Sequence, residues 1–183
     1  KITPESVKTI FEYPRPQMVR SSFTNLNGLW EFKAVEAGTS TNGVFGKPLN
    51  ETILIPFPVE SCLSGLKDAN DTNGVPPTYQ HMWYRTTVSA DQFQEAEAGG
   101  RTLLHFGAVD WQTDVYVNGL WVGSNTGGYN AFSFDVTEAL SGSGGGEEIF
   151  VVVYNPSNMG PQPFGKQRIS ARYNPGGDTY TPN

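Results

Sequence analysis

The segment VYVNGLWV, residues 115–122, constrains the fold of this chain more than any other stretch. Two short runs of β-branched and aromatic residues flank the pair Asn118-Gly119. This pair suits a type I′ turn, because both central residues of that turn need a positive φ. The segment therefore predicts a tight hairpin of two antiparallel strands.

Similar short apolar runs recur along the chain and are separated by glycine and proline. The 21 Gly and 13 Pro residues disfavour a mainly helical fold. Eight strands are predicted, at residues 28–33, 52–57, 82–88, 102–107, 114–117, 120–122, 132–136 and 148–154. Two packed sheets or a closed barrel protect the unpaired backbone groups at the sheet edges. Of these, the predicted fold is all-β, a jelly-roll β-sandwich. It is expected to form a single domain over residues 1–183.

Strand alternation also predicts which side chains form the core. The aromatic residues expected there are Trp30, Phe32, Phe106, Trp121 and Phe134. Residues 137–140 offer at most one helical turn, with Asp135 or Thr137 as the capping residue.

The charge pattern excludes some classes of partner. The net charge is -6 and lysine and arginine do not cluster, which argues against nucleic acid and against an anionic membrane surface. No apolar run has the length needed to cross a bilayer, so membrane insertion is not expected. The expected partners are neutral molecules.

The sequence contains no familiar cofactor or metal motif. Phosphate-loop, dinucleotide-binding and zinc-protease patterns do not occur, so no cofactor is predicted. Cys62 is the single cysteine, which rules out an internal disulfide and a Cys-rich metal site. We expect a buried, unreactive thiol there.

Two sequons make Asn50 and Asn70 candidate glycosylation sites. A chain of this composition carries about two by chance, so the expectation of an extracellular, secreted protein rests on them only lightly. Asn70 lies in the long polar stretch 60–80, which we interpret as the rim of a functional site because loops of this length usually have a function.

Several segments, read in order, resemble glycoside hydrolase family 2, which includes β-galactosidases, β-glucuronidases and β-mannosidases. They are YPRPQMVR (13–20), LNGLWEF (26–32), IPFPVES (55–61), MWYR (82–85), VNG (117–119), GGY (127–129), FDVT (134–137), NPSN (155–158) and QPFGKQ (162–167). The resemblance implies the N-terminal sugar-binding, jelly-roll domain of such an enzyme. In that domain, residues 118–137 serve folding rather than chemistry.

Glycoside hydrolysis needs two carboxylates on either side of the scissile bond. The resemblance implies that both are glutamates on a separate C-terminal barrel, so no catalytic residue is predicted here. Asp110 and Asp114 are the weak internal alternative, and Glu147-Glu148 are expected on a solvated surface. His105, within a predicted strand, is expected to be a hydrogen-bonded structural residue.

The resemblance also places the loop after the last predicted strand near the substrate. Asn155 and Asn158 are therefore the candidate sugar-binding residues. Some relatives carry Asp there, and a neutral amide makes a weaker hydrogen bond to a hydroxyl than a carboxylate does. The alternative is that both residues only cap a turn before Pro156 and Pro161.

Two functions remain open at this stage. The first is an accessory domain of a family 2 β-glycosidase, which contacts carbohydrate and the other domains of its polypeptide. The second is a non-catalytic extracellular module for carbohydrate binding or assembly. A further hypothesis is that a segment outside this chain completes the sheet beside residues 168–181, because relatives continue there into one more strand.

Overall fold

The computed structural model of the protein describes residues 23–61, 63–66, 80–89, 99–141, 145–156 and 161. Eight strands lie within these residues. They are β1 (Gly28–Val35), β2 (Glu51–Ile55), β3 (His81–Val88), β4 (Leu103–Phe106), β5 (Gln112–Val117), β6 (Leu120–Thr126), β7 (Phe132–Asp135) and β8 (Glu147–Tyr154). Each corresponds to a predicted strand.

The strands form two antiparallel sheets. The larger sheet has six strands in the order β2-β1-β3-β8-β5-β6, and the smaller sheet pairs β4 with β7. Every paired strand within the described residues is antiparallel. The predicted all-β sandwich is confirmed, with the longest strands, β1, β3 and β8, side by side in the larger sheet.

One face of the six-stranded sheet, here called the inner face, forms the core. Alternate residues of its strands are buried there, among them Trp30, Phe32, Ile53, Val115, Val117, Ile149, Val151 and Val153. Leu104 of β4 and Phe134 of β7 pack against this cluster, as do Val59 and Leu66 of the segment after β2. Burial of each such side chain contributes roughly 1.5–3 kcal/mol.

The predicted aromatic core is mostly confirmed. Trp30 and Phe32 are buried, and Phe106 and Phe134 are half-buried against the core cluster. The prediction is wrong for Trp121, which is 59% exposed.

The two-residue turn explains the error at Trp121. It pairs Val117 with Leu120, so these two residues share the inner face and Trp121 joins Tyr116 on the opposite, outer face. The register then shifts, and Val115 pairs with Gly123. Val122 is the extra residue at this bulge, and it packs against the core in place of the indole.

The predicted hairpin is confirmed, with φ of 51° at Asn118 and 78° at Gly119. The Asn118 side chain also links three elements. Its Oδ1 accepts a hydrogen bond from the Glu148 amide at 2.9 Å, and its Nδ2 donates to the Ala139 carbonyl at 2.8 Å and to the Glu147 carboxylate. The turn residue therefore holds the β5–β6 hairpin against the start of β8.

Glu147 and Glu148 were expected on a solvated surface, and that expectation is wrong. Only 4% of Glu147 and 9% of Glu148 is exposed. Neighbouring strand residues point to opposite faces, so the two carboxylates have different partners. Glu147 accepts from the Ser141 amide at 2.9 Å, whereas Glu148 pairs with Arg85 at 2.5 Å. Arg85 also pairs with Glu31 at 2.8 Å.

The connection between β1 and β2, residues 36–50, covers the middle of the outer face. The Gly46 amide donates to Glu148 at 2.9 Å and the Leu49 amide donates to Glu31 at 2.7 Å. The Phe45 ring packs 5.4 Å from that of Phe150, which is fully buried. The outer face is therefore covered in the middle and as far as Tyr116 and the turn at Gly119, whereas Trp121 beside them stays exposed.

Two further local predictions concern residues 137–140 and His105. A single 3₁₀ turn occupies Thr137–Ala139 as predicted, but the prediction of Asp135 or Thr137 as its capping residue is wrong, because the N-cap position is Val136 and no side chain caps the turn. Asp135 Oδ1 instead accepts from the Thr137 amide at 3.1 Å and from its hydroxyl at 2.6 Å. His105 Nδ1 lies 2.5 Å from Ser133 Oγ, the hydrogen bond expected of a structural histidine. The predictions for Cys62, Asn70, Asn158 and residues 168–181 lie outside the described residues.

Candidate functional site

One end of the six-stranded sheet holds Asn155 and Gln80, the last residue of the predicted rim 60–80. Strand β3 begins there, β8 ends there, and β5 begins beside β8, because His81 and Gln112 both pair with Tyr154. Gln112 also pairs with Thr126, so β6 ends at the same place. We call residues 80–81, 110–112, 126–128 and 154–155 the loop end.

Backbone hydrogen bonds continue across the loop end beyond the strands. The Asn155 amide donates to the Gln80 carbonyl at 2.7 Å, and the Trp111 amide donates to the Tyr154 carbonyl at 3.3 Å. The Gly127 amide in turn donates to the Trp111 carbonyl at 2.9 Å. Four segments distant in sequence are thus fixed to one another, as a binding site on loops requires.

Asn155 lies in the centre of the loop end and is 4% exposed. Its backbone is held by Gln80, and the stacked rings of His81 and Tyr154, 4.7 Å apart, lie just before it in the sheet. Asn155 is the first residue after β8 and therefore begins the predicted substrate loop. Contact of Asn155 and Asn158 with a sugar stays a prediction, and Asn158 is outside the described residues.

Asp110 is packed tightly against the backbone of the β6–β7 connection. A Cβ atom on Gly128 would lie 2.5 Å from Asp110 Oδ1 and 2.6 Å from its Cγ. Gly128 is itself buried. Glycine is needed at this position because it alone lets the two segments approach so closely.

Glu60 brings a second carboxyl group to Asp110. The pKa of Glu60 is raised above its ordinary value of 4.5, chiefly because burial removes water from the carboxylate. A hydrogen bond from its own backbone acts in the opposite direction, and the negative charge of Asp110 raises the pKa further. Burial, and then the charge of Glu60, also raise the pKa of Tyr84.

The neutral phenol of Tyr84 can donate as well as accept a hydrogen bond, whereas an ionised carboxylate only accepts. Glu60 belongs to the predicted rim 60–80, but the sequence did not single it out. The available signal was its place in the IPFPVES segment, directly after a strand that prolines terminate.

The described residues contain no group of three or more His, Cys, Asp or Glu side chains placed to hold a metal ion. Over the same part of the chain, no helix is long and apolar enough to span a membrane.

The family model for the sugar-binding domain of glycosyl hydrolases family 2 matches residues 23–161. This span contains both sheets and the loop end. The chain belongs to glycosyl hydrolases family 2. Within that family it is the sugar-binding domain, as the resemblance of its motifs implied.

Individual relatives of this family 2 domain include named enzymes. The present chain is 27% identical to a β-glucuronidase of Felis catus over 70% of its own length. It is 26% identical to a β-glucuronidase of Paenibacillus borealis over 84% of its own length. It spans only 20% and 24% of those two proteins. A β-galactosidase of Thermoanaerobacter pseudethanolicus is 43% identical over 32% of the chain and 7% of its own length.

Solved structures share the fold. The β-glucuronidase of Bifidobacterium dentium, solved with coumarin-3-O-glucuronide, has a TM-score of 0.55 and 25% identity. The match covers 73% of the present chain and 21% of that enzyme. The family 2 domain therefore spans about a fifth of the length of the β-glucuronidases that it matches.

Proposed function

We propose that this domain forms one wall of the substrate site of a β-glycosidase whose catalytic carboxylates lie on another domain of the same polypeptide. The relatives that match most of this chain support the proposal, because they are β-glucuronidases of which the domain spans only 20–24%. The substrate is a β-linked carbohydrate, and the loop end faces it.

The observation that carries this proposal is the construction of the loop end. Four chain segments meet there, which supply the side-chain amide of Asn155 and the carboxyl of Asp110, and the charges of Asp110 and Glu60 interact. Amide and carboxyl groups are the side chains that bind sugar hydroxyls, because they present two polar atoms at once. Fixed backbone positions give such groups a defined geometry toward a ligand.

The pair Glu60 and Asp110 is not suited to catalysis itself. Two catalytic carboxyls must both reach the scissile bond from opposite sides of a sugar. Asp110 Oδ2 is buried, and Oδ1 lies against Gly128, where not even a methyl group fits. With one oxygen buried and the other packed against Gly128, Asp110 is poorly placed to approach a scissile bond, so we assign the hydrolytic pair to another domain.

An activity assay on two forms of the protein tests the proposal. We expect the purified 183-residue chain not to hydrolyse nitrophenyl β-glucuronide or β-galactoside, and the full polypeptide of its gene to hydrolyse at least one. In that longer protein, Asn155→Ala should lower kcat/KM roughly three- to tenfold, the effect of losing one neutral hydrogen bond. Turnover by the short chain that survives repurification and disappears in Asp110→Asn would contradict the proposal.

We also propose an extracellular location. Asn50 of the first sequon is exposed, immediately before β2. A glycan there would not disturb the sheet. Enzymatic deglycosylation of the protein from its native source should lower its mass, whereas an unchanged mass together with a cytoplasmic fraction would oppose this location.

A further inference from the structure

The outer face of the β5–β6 hairpin has an unusual combination of side chains. Gln112, Asp114 and Tyr116 alternate onto this face, and their partners across the hairpin are Thr126, Ser124 and Trp121. Tyr116 lies under the cover of residues 36–50, next to Phe45. We call the remaining five residues, Gln112, Asp114, Trp121, Ser124 and Thr126, the indole platform.

The members of the indole platform are accessible and polar except for the indole. Trp121 is 59% exposed, Asp114 is half-buried, and the other three are exposed. Trp121 Nε1 donates to Asp114 Oδ1 at 3.3 Å. This hydrogen bond restrains the ring, and it uses one acceptor position of a carboxylate that has about four.

We propose that the indole platform is a second sugar-binding site, which takes a neutral β-linked oligosaccharide by stacking one ring on Trp121. The C–H side of a pyranose is apolar and suits the face of an aromatic ring. The hydroxyls at the ring edge meet a carboxylate, an amide and two hydroxyl groups. This site shares Gln112 and Thr126 with the loop end, but it is centred on Trp121 on the outer face of the hairpin, so it goes beyond the function proposed above.

The charge of the indole platform selects a neutral ligand. Its one ionisable member is Asp114, and a carboxylate binds hydroxyl donors but repels a uronate. The chain as a whole carries a net charge of -6, which adds to this repulsion. A second site for a neutral glycan would therefore not compete with the substrate of a glucuronidase, the activity named for its relatives.

The dimensions of the indole platform suit a short oligosaccharide. Three paired rows run from Trp121 to Thr126 on the outer face, with two intervals between them. Rows on one face are about 6.7 Å apart along a strand, so the platform extends about 13 Å. The site lies on β6, at the edge of the larger sheet, where an extended glycan can continue past the protein.

Nuclear magnetic resonance of the tryptophan Nε1–H signals tests the proposal on the 183-residue chain. The probes are cellotetraose, β-1,4-galactotetraose and, as the acidic counterpart, β-1,4-tetramannuronate. We expect at least one neutral probe to shift the Trp121 signal with a Kd on the order of 1 mM, and the uronate to leave it unchanged. No shift with either neutral probe at about ten times that concentration would overturn the proposal, and so would equal binding of the uronate.

Variants separate the indole platform from other exposed aromatic groups. Trp121→Ala should abolish binding, and Asp114→Asn should weaken it roughly fivefold, because a neutral amide is the poorer acceptor. Tyr129→Ala is the matched control, since Tyr129 is 58% exposed on a different loop, and it should bind normally. Binding that persists in Trp121→Ala, or that disappears equally in Tyr129→Ala, would overturn the assignment.

Unchanged signals of Trp30 and Trp83, both buried, show in the same spectra that each variant is folded. The measurement is independent of hydrolysis. The isolated chain can therefore bind a glycan while the catalytic proposal fails, or the reverse, and the two results are distinguishable.

Discussion

The loop end and the indole platform are both rich in polar side chains, but they are built in opposite ways. At the loop end, backbone hydrogen bonds join distant segments, and Asn155 and the carboxyl of Asp110 are packed into the protein. On the indole platform, neighbouring strands of one hairpin supply side chains that are mostly exposed. The first region depends on tertiary packing, whereas the second needs only the local hairpin register.

This difference indicates which changes each region tolerates. Substitutions at the loop end should alter the stability of the domain, because buried groups lose space or partners there. Substitutions on the indole platform should alter binding and leave the fold intact, since an exposed side chain adds little to the core. Three variants test this contrast, from the largest expected effect on stability to the smallest.

Gly128→Ala should have the largest effect. The new Cβ would overlap the Asp110 carboxyl, and overpacking of this kind costs about 1–3 kcal/mol. Urea unfolding of the purified domain measures the loss. Gly107→Ala is the matched control, because no atom lies within 4 Å of its Cβ position, and it should be neutral. Equal stability of the two variants would show that the Asp110 side chain is not packed tightly against Gly128.

Glu60→Gln should stabilise the domain, and by an amount that grows with pH. The folded state holds the Glu60 proton to higher pH than the unfolded chain does, because burial raises its pKa above 4.5. Ionisation of Glu60 therefore lowers the free energy of unfolding as pH rises from the ordinary glutamate range through the raised pKa. Above the raised pKa this loss of stability reaches its full size. The glutamine variant removes this cost.

Thermal melts at pH 4 and pH 7 measure this effect of Glu60→Gln. The Tm difference from the unmodified protein should be small at the lower pH and positive at the higher one. The exposed Glu36 provides the control variant Glu36→Gln, which should show no such trend. A gain in Tm that is larger at pH 4 than at pH 7 would contradict a Glu60 pKa that burial raises.

Trp121→Ala should have the smallest effect, within about 0.5 kcal/mol of the unmodified protein. Trp83→Ala is the informative comparison, since Trp83 is on the same face of the sheet but buried, and its loss should cost about 3–5 kcal/mol. A large loss of stability in Trp121→Ala would mean that its indole is packed, and would leave no platform for a sugar.

Local patterns predicted most of the strands but not the sheet order. The Asn118-Gly119 turn and the apolar runs indicate strands directly, because turn chemistry and alternation act over a few residues. The position of β8 between β3 and β5 depends on contacts between residues far apart in the chain. Trp121 shows the limit within one strand, since alternation predicted that it lies in the core, whereas the hairpin register and its bulge place it on the outer face.

The candidate site was predicted only in outline. The stretch 60–80 and Asn155 were proposed from sequence, because loops after strands and motif resemblance are visible there, and their contact with a sugar stays a prediction. The proximity of Glu60 and Asp110 was not, since 50 positions separate them along the chain. Buried carboxylates such as Glu147 also escape prediction, because their partners are backbone amides and side chains that only the folded structure brings together.

Amide hydrogen exchange tests the central claim most directly, by comparing the 183-residue chain with the full polypeptide of its gene. If the loop end faces a catalytic domain, amides at residues 80–81, 110–112, 126–128 and 154–155 should exchange more slowly in the longer protein. Amides of Trp121 and Ser124, on the indole platform, should exchange equally in both. Protection of β6 at those residues, with an unchanged loop end, would contradict the account.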